Sequence, residues 1–513
     1  MHRIQNTFLF VVLLFFVSAC QASQPEQVSP EDLLAEPIAV TLNPNDITPL
    51  AAEAVFTTTV PTQVTITVTG EEPMTHEFEE VATEHRIPIL GLYPDTDNSV
   101  EILITEPGER YAEETLSITT EPLPDFFPDI TVETAEQGRM EPGWTLSDFS
   151  VGDNGTFRTH PFFFDNNGEV RWYIDTSFTG GMIYLIKRLE NGNLIFSYGT
   201  TVYEHDMLGN EINRWEIPGY TFHHEIEEKP DGNLILAVNK AGADTIEDYA
   251  IEIDRTSGEV VKEWDFRQML DRNRTNYDPD ERDWLHVNAI FYVEADNSII
   301  ISGRNQGLAK ITYDDEVVWI LAPHKGWGNA GPDGEGEDTS QYLLTALDED
   351  GNPYPDAVQQ GDEEPENFGW VWGQHAPMLL PSGNLFVFDN GLKRTFDAEA
   401  RPHYSRGVEY KIDEEALTVE QVWQYGKERG EEYHSAIISD VDYLPETGNR
   451  LVMPGIIRPG DEFYAHVTEV TYPDAEVVFD AKIQFKNLLT DSPEKGFGYI
   501  DAVYRSERLP LYP

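Results

Sequence analysis

The chain has 513 residues, with 93 Asp and Glu against 34 Lys and Arg, a formal net charge of −59. That balance excludes a nucleic-acid binder, which needs a basic face for phosphate, and fits a solvated acidic surface. The one cysteine excludes a disulfide framework and a thiolate metal site, and the length exceeds an ordinary single core while suiting a propeller.

The chain opens as a leader. Arg3 precedes an apolar run from Phe8 to Val17, followed by Val17-Ser18-Ala19-Cys20. The run is too short to span a bilayer comfortably and has the character of a signal-peptide core. The tetrapeptide fits a bacterial lipobox, in which Cys20 becomes the lipidated first residue. Gln21 follows, with no Asp retention signal, so residues 1–20 are expected as a lipoprotein signal peptide. The mature protein is then periplasmic and lipid-anchored at the outer membrane. Residues 21–36 are polar and Pro-rich, as a flexible tether would be.

Residues 37–136 are expected as a small β-sandwich of the fibronectin or immunoglobulin type. Val55-Phe56-Thr57-Thr58, Gln63-Val64-Thr65-Ile66 and Ser99-Val100-Glu101-Ile102 are alternating or β-branched, with Pro, Gly and Asp-rich turns between them. The Pro-rich stretch from Glu121 to Pro128 reads as the linker to the second, larger domain.

Residues 137–513 are expected as a six-bladed β-propeller, so the fold class is all-β. Turn markers recur at Asp165-Asn166-Asn167-Gly168, Glu190-Asn191-Gly192-Asn193, Asp231-Gly232-Asn233 and Ser382-Gly383-Asn384. Tryptophans close outer strands at Trp172, Trp215, Trp264, Trp319 and Trp423. Units begin near Met182, His224, His286, His375 and His434, about 40 to 90 residues apart, a spacing that suits blades of four strands. The sixth blade is expected from Gly143 to Asp175 joined to a C-terminal strand around Tyr499 to Tyr504, which removes the exposed edges. Tyr499 then takes the histidine position of the closing blade. The acidic insertion from Pro323 to Gln374 is long enough to be functional, and it ends at His375, where it can cover the mouth of a site. Asp348-Glu349-Asp350-Gly351-Asn352 within it starts like a calcium loop, but the later ligand positions do not match, and a plain acidic turn is expected.

His224, His286, His375 and His434 stand at the same place in their units, and a ring of blades would bring their imidazoles to one axis. A structural repeat does not require histidine there. Arg304 follows one strand after His286, and a buried arginine implies an anionic ligand or a paired acid. Asn288, two residues after His286, shares its strand face and can donate to an oxyanion. These groups suit a tetrahedral oxyanion such as sulfate or phosphate. No metal is expected: the chain has no His-x-His pair, no His-Glu-x-x-His and no second cysteine, and Arg304 would repel a cation. No cofactor is expected either. Tyr203, Trp284, Trp370 and Tyr499 either line a pocket for an aromatic substrate or pack between blades.

The segments Phe222-His223-His224-Glu225-Ile226, Leu285-His286-Val287-Asn288-Ala289, Ser302-Gly303-Arg304-Asn305, Gly373-Gln374-His375-Ala376 and Arg406-Gly407-Val408-Glu409-Tyr410, with the ending Tyr504 to Pro513, resemble the bacterial arylsulfate sulfotransferases. The likeness covers nearly the whole mature chain. It implies a six-bladed propeller with its site in the central channel. It also implies ping-pong transfer of a sulfuryl group from a phenolic sulfate donor to a phenol acceptor, independent of a nucleotide sulfate donor. On that resemblance His375 matches the nucleophile that becomes a transient sulfohistidine. His286, Asn288 and Arg304 match groups that bind the sulfuryl oxygens and assist the leaving phenol. His224 matches a further catalytic histidine, with His223 as the alternative, and His434 stands as a substrate-binding residue or a structural one. A homodimer is implied only by resemblance. The chain departs from the family in lacking the cysteines that some members carry in the loop before the nucleophile, and in its lipobox. Two other readings stay open: an aryl sulfate hydrolase on the same site, and a non-catalytic lipoprotein propeller that binds a partner.

Overall fold

The structure, a computed structural model, describes residues 25–153, 155–274, 280–397, 403–460, 462–488 and 498–513. The expected leader with Cys20 lies outside them. Six sheets of four or five strands make the propeller, and a further six-stranded sheet makes the module in front of it. In chain order the inner strands of blades 1 to 6 are Tyr184–Arg188, Tyr220–Glu228, Val287–Val293, His375–Leu379, Asp440–Tyr443 and Ala502–Leu509. Successive inner strands from blade 1 to blade 6 lie against one another, so their first residues gather around one axis.

Blade 6 is made from both ends of the chain, as expected. Its inner strand, Ala502–Leu509, pairs antiparallel with Trp144–Asp153, in a register that sets Leu509 opposite Trp144 and Val503 opposite Phe149. Thr156–Phe164 and Val170–Tyr173 complete it. The pairing hides both edges that an open sheet would expose. The strand starts later than the sequence suggests, so Tyr504 and not Tyr499 reaches the axis. Tyr499 lies in the turn before it, its hydroxyl against Gly155.

The five outer-strand tryptophans sit in Val170–Tyr173, Glu211–Glu216, Val260–Asp265, Val317–Leu321 and Thr418–Tyr425. Four of them fasten their blade to the next one. The indole N–H of Trp172 donates to Met207 O at 2.8 Å, Trp215 to Arg255 O at 2.9 Å, Trp319 to a Glu414 carboxylate oxygen at 2.9 Å, and Trp423 to Pro473 O at 3.1 Å. Each acceptor lies in the outer hairpin of the following blade. Trp264 faces Tyr313 edge-on at 5.6 Å instead, with no partner for its indole N–H among the described residues. The turn asparagines are equally regular. Asn193, Asn233, Asn384 and Asn449 each donate to a buried glutamate of the third strand: Glu204, Glu252, Glu409 and Glu469. In blade 3 the third strand carries Lys310 there, paired with Asp296.

Two boundaries differ from expectation. Asp129–Ala135 pairs with Val477–Gln484 as a fifth strand on the outer edge of blade 5, so the propeller begins at 129 and not at 137. The tether expected over 21–36 is held from Glu26 onward. Glu26–Gln27 pairs with Arg110 and Tyr111, and Leu33 is fully buried, because this segment carries apolar groups the module can cover. The module itself follows the alternation read from the sequence. In Ala52–Val68 the residues Ala52, Ala54, Phe56, Val64, Ile66 and Val68 point inward. The first part of that strand pairs with Ala39–Leu42 and the last part with Asp97–Glu106. The module is pinned to the ring by the chain's end: the Tyr512 hydroxyl accepts from Leu90 N–H and donates to Pro88 O, and His76 stacks on its ring at 4.1 Å.

Part of the 323–374 insertion runs along the outside and not over the mouth. Thr345–Ala346 adds to the outermost strand of blade 4 at Thr418 and Val419. Asp348 uses one carboxylate oxygen to accept the N–H groups of Asp350 and Asn352, which makes this a self-satisfied acidic turn.

Replacing Trp172 by Phe leaves Met207 O buried without its donor, at a cost of about 1–3 kcal/mol. Trp264 has no such bond, so Trp264→Phe should lose only packing. Differential scanning calorimetry of the two variants should show a lower midpoint for Trp172→Phe than for Trp264→Phe, although both indoles are fully buried.

Candidate active site

The inner strands do not run straight into the axis. His224 and His286 hold φ of 58° and 57°, and Ala376 holds 50°. His224 lies in a break of the ladder between Phe222 and Ile226, Ala376 in one between His375 and Met378, and His286 just before the strand whose register shifts between Val287 and Ala289. A left-handed residue other than glycine costs roughly 1–3 kcal/mol, and a bulge re-aims the side chains beside it. The same local device in three blades turns imidazoles into the channel.

His224, His286 and His375 come together there. The rings of His224 and His286 are 4.9 Å apart. The fourth place belongs to Tyr504, whose ring is 5.8 Å from His224 and 6.2 Å from His375. Its hydroxyl bonds His224 Nδ1 at 2.8 Å. His434 is placed differently from the expectation: it follows the short helical segment Lys427–Tyr433, and its ring lies 5.0 Å from that of His403. Between the paired histidines of blade 2, His224 is the one that meets Tyr504 and His286. His223 lies behind it at 5.2 Å, 3% exposed, with neither ring nitrogen hydrogen-bonded among the described residues. Burial pushes its pKa down to about 3, so it is neutral.

His375 is held in one tautomer. Its Nδ1 faces two acceptors, Asn390 Oδ1 at 2.7 Å and Gly373 O at 3.1 Å, so Nδ1 carries the hydrogen and Nε2 the lone pair. The amide of Asn390 cannot turn over, because its Nδ2 donates to Ser435 O and Ile438 O at 2.8 and 2.7 Å. Next to it, Asp389 accepts from Trp372 N–H and from the guanidinium groups of Arg394 and Arg406, which fixes the loop before His375 without cysteines. Burial first, then the nearby His224, Arg304 and His286, holds the pKa of His375 well below the ordinary imidazole value against the pull of Asn390.

His286 is set the opposite way. Its Nδ1 lies 2.8 Å from Asp283 Oδ2 and 2.7 Å from Glu247 Oε2. Burial opposes charge on this ring most strongly, yet the two carboxylates outweigh it and its pKa is raised. Arg304 stands on the same group: its backbone N–H donates to His286 O at 2.9 Å, and Nη2 is 3.5 Å from Asp283 Oδ2. Of the two partners expected beside a buried Arg304, an anion or a paired acid, Asp283 is the acid. Asn288 donates Nδ2 to Gln374 O at 2.8 Å, so one of its two N–H groups fixes the residue before His375. Donor atoms of His223, His224 and Glu247, and of Glu247, Asp283 and His286, lie within 4.8 Å of one another. In the second set His286 faces both carboxylates and Arg304 faces Asp283, so it reads as an ion-paired cluster, whereas His223 in the first set is neutral.

Tyr203, Trp284 and Trp370 are blade packing. Trp284 donates to Asp248, Trp370 to Val358 O, and Tyr203 stacks on Phe196. The aromatic rings of the site are Tyr504 and Tyr184, the latter edge-on to His224 at 5.8 Å. Sequence reasoning missed Asn390, Asp283, Glu247 and Tyr504. Only Asp283, three residues before His286, carried a usable signal. Beyond the imidazoles the axis continues into a cavity of about 100 Å³, reached by every inner strand and lined by Lys187, Glu225, Glu227, Asp440, Arg505 and Glu507 among others.

The arylsulfotransferase (ASST) family model matches residues 129–492, and the arylsulfotransferase Ig-like domain model matches residues 39–121. The chain is 29% identical to the arylsulfate sulfotransferase AssT of Escherichia coli O6:H1 and 28% identical to that of Lelliottia amnigena. Each alignment covers 89% of this chain and 91% of the relative. Among solved structures, the WD40 domain of Neurospora crassa Pan2 aligns over 75% of this chain and 91% of its own, at 10% identity and a TM-score of 0.31.

Asn390→Ala removes the acceptor that selects the His375 tautomer. It should lower the transfer rate at saturating donor by about 10²-fold, less than the roughly 10⁴-fold lost when a catalytic histidine loses its one orienting group, because Gly373 O still accepts from Nδ1. Steady-state assay of the variant, with its melting midpoint as a control for folding, checks this.

Proposed function

Because this chain belongs to the arylsulfotransferase family and is an enzyme of that class, we propose that it moves a sulfuryl group between phenols in two half-reactions. They are joined by a sulfohistidine at Nε2 of His375, and no nucleotide sulfate donor takes part. The observation that carries this reading is the fixed tautomer of His375, with both acceptors on Nδ1 and a pKa held low. A neutral imidazole with its lone pair aimed into the channel is a competent nucleophile near neutral pH.

In the first half-reaction Nε2 attacks the sulfur of the aryl sulfate. The bond from sulfur to the phenolic oxygen breaks, its electron pair stays on that oxygen, and protonated His286 supplies the proton that makes the free phenol. The sulfonated ring is cationic, and Asn390 Oδ1 and Gly373 O accept from its Nδ1–H. Arg304, with the second N–H of Asn288, bears the negative charge of the sulfuryl oxygens through the transfer. In the second half-reaction an incoming phenol returns its proton to His286, its oxygen attacks sulfur, and the bond from nitrogen to sulfur breaks. A hydrolase would differ only in using water as the acceptor.

The leader supports a matching location. Phe8 to Val17 with Val17-Ser18-Ala19-Cys20 fits a protein lipidated at Cys20 and held at the outer membrane facing the periplasm. Palmitate labelling of cells should mark the wild-type chain and not Cys20→Ser; equal labelling removes the anchor from the proposal.

Intact-mass analysis after brief exposure to an aryl sulfate should show one added sulfuryl group, mapped to His375 and missing in His375→Asn. Phenol release from nitrophenyl sulfate should depend on added acceptor phenol and ignore an added nucleotide sulfate donor; equal release without acceptor would make the enzyme a hydrolase. The rate of the first half-reaction requires neutral His375 and protonated His286. It should therefore rise through a pKa well below the ordinary imidazole value, and fall at alkaline pH through one above it.

A further inference from the structure

Glu247 has no role in the proposed sulfuryl transfer, yet it stands among three of the site's imidazoles. Its side chain is 18% exposed. One oxygen, Oε2, lies 2.7 Å from His286 Nδ1 and 3.5 Å from His224 Nε2. It is locked from two blades. Its N–H donates to Asn239 Oδ1 in blade 2, and its carbonyl accepts the N–H of Val287, the first residue of the inner strand of blade 3. Its backbone is left-handed, with φ of 56°, a strained conformation for a glutamate. The charged and titratable groups around it are Tyr184 from blade 1, His223 and His224 from blade 2, and Asp283, His286 and Arg304 from blade 3. A carboxylate held so firmly against the two histidines of the channel serves more than packing.

We propose that Glu247 is a positioning residue for sulfuryl transfer: one carboxylate, shared by two imidazoles, that keeps the transferable proton on His286 and leaves His224 neutral. The distances decide the split, because the shorter contact and the added charge of Asp283 both favour His286. On the other side His224 offers Nδ1 to the Tyr504 hydroxyl. With Nε2 turned to Glu247, Nδ1 is then the acceptor and the Tyr504 O–H the donor. Glu247 Oε2 has no hydrogen-bond partner among the described residues, so it acts on both rings through its charge, while Asp283 orients His286 and Tyr504 orients His224. Each proton keeps one home: Nδ1–H of His286 between Asp283 and Glu247, and Nε2–H of His286 toward the leaving phenol. This inference rests on His286 being the acid of the proposed reaction.

The test is leaving-group dependence in single-turnover assays of Glu247→Gln. A nitrophenyl donor leaves as a stable phenolate and needs little proton assistance, so its rate of sulfonating His375 should change by less than about 3-fold. An unsubstituted phenyl sulfate needs the acid and should slow by about 10²-fold, the lower end of what general acid catalysis supplies. The alkaline limb of the pH profile should move to lower pH. Glu247→Asp should restore part of the phenyl sulfate rate. In a His286→Asn background, Glu247→Gln should add little further loss, because it acts through His286. Equal loss with both donors, with the alkaline limb unmoved, would assign Glu247 to folding and overturn the proposal. Should Glu247→Gln not fold, an unchanged ratio of the two donors in Glu247→Asp overturns it as well. If instead the wild type carries no sulfuryl group on His375 with either donor, the nucleophile assignment fails, an outcome separate from any behaviour of Glu247.

Discussion

The pairing of Ala502–Leu509 with Trp144–Asp153 is the constraint on which the active centre depends. Six blades converge only if the ring closes, and this pairing closes it with the two ends of the same domain. The closing strand also brings chemistry with it. Tyr504 reaches His224 and His375, and the next residue, Arg505, spans the axis to a bidentate pair with Glu225. The residues after that strand hold the front module through Tyr512. One segment therefore seals the ring, furnishes the site and fastens the second domain.

A protein of net charge −59 that handles a sulfate ester must solve an electrostatic problem locally. In the proposed reaction the anion meets cationic groups at the axis: Arg304 and protonated His286. Those cations are tolerable when buried because Asp283 and Glu247 lie against them. The same pairing separates two identical side chains chemically. His286, between carboxylates, holds its proton; His375, between an amide oxygen and a carbonyl, stays neutral. Opposite protonation in neighbouring imidazoles is what the proposed reaction asks of its acid and its nucleophile.

The blades outside the axis explain why such a site can stay rigid. Tryptophan N–H groups bind the next blade at four of the five outer-strand positions, and four turn asparagines satisfy buried glutamates. The left-handed residues at the channel are strained, and they persist because this repeated framework over-determines the strands that carry them.

The sequence by itself determined the class of fold and much of the site. Alternating strands, turn asparagines and outer tryptophans were readable because they recur and because each obeys a local rule of strand or turn. His224, His286, His375 and Arg304 were readable because polar groups at repeated positions have no packing reason to be there. Tertiary structure decided what depends on distant chain coming together. Asn390 fixes His375 from 15 residues away, Glu247 reaches His286 from the preceding blade, and Tyr504 enters from the far end of the chain. It also placed His434 beside His403 and Tyr499 in a turn, where register and not residue type is what counts. A β-strand slipped by one or two residues presents a different side chain to the axis, and nothing in the local pattern of the closing strand specified that register.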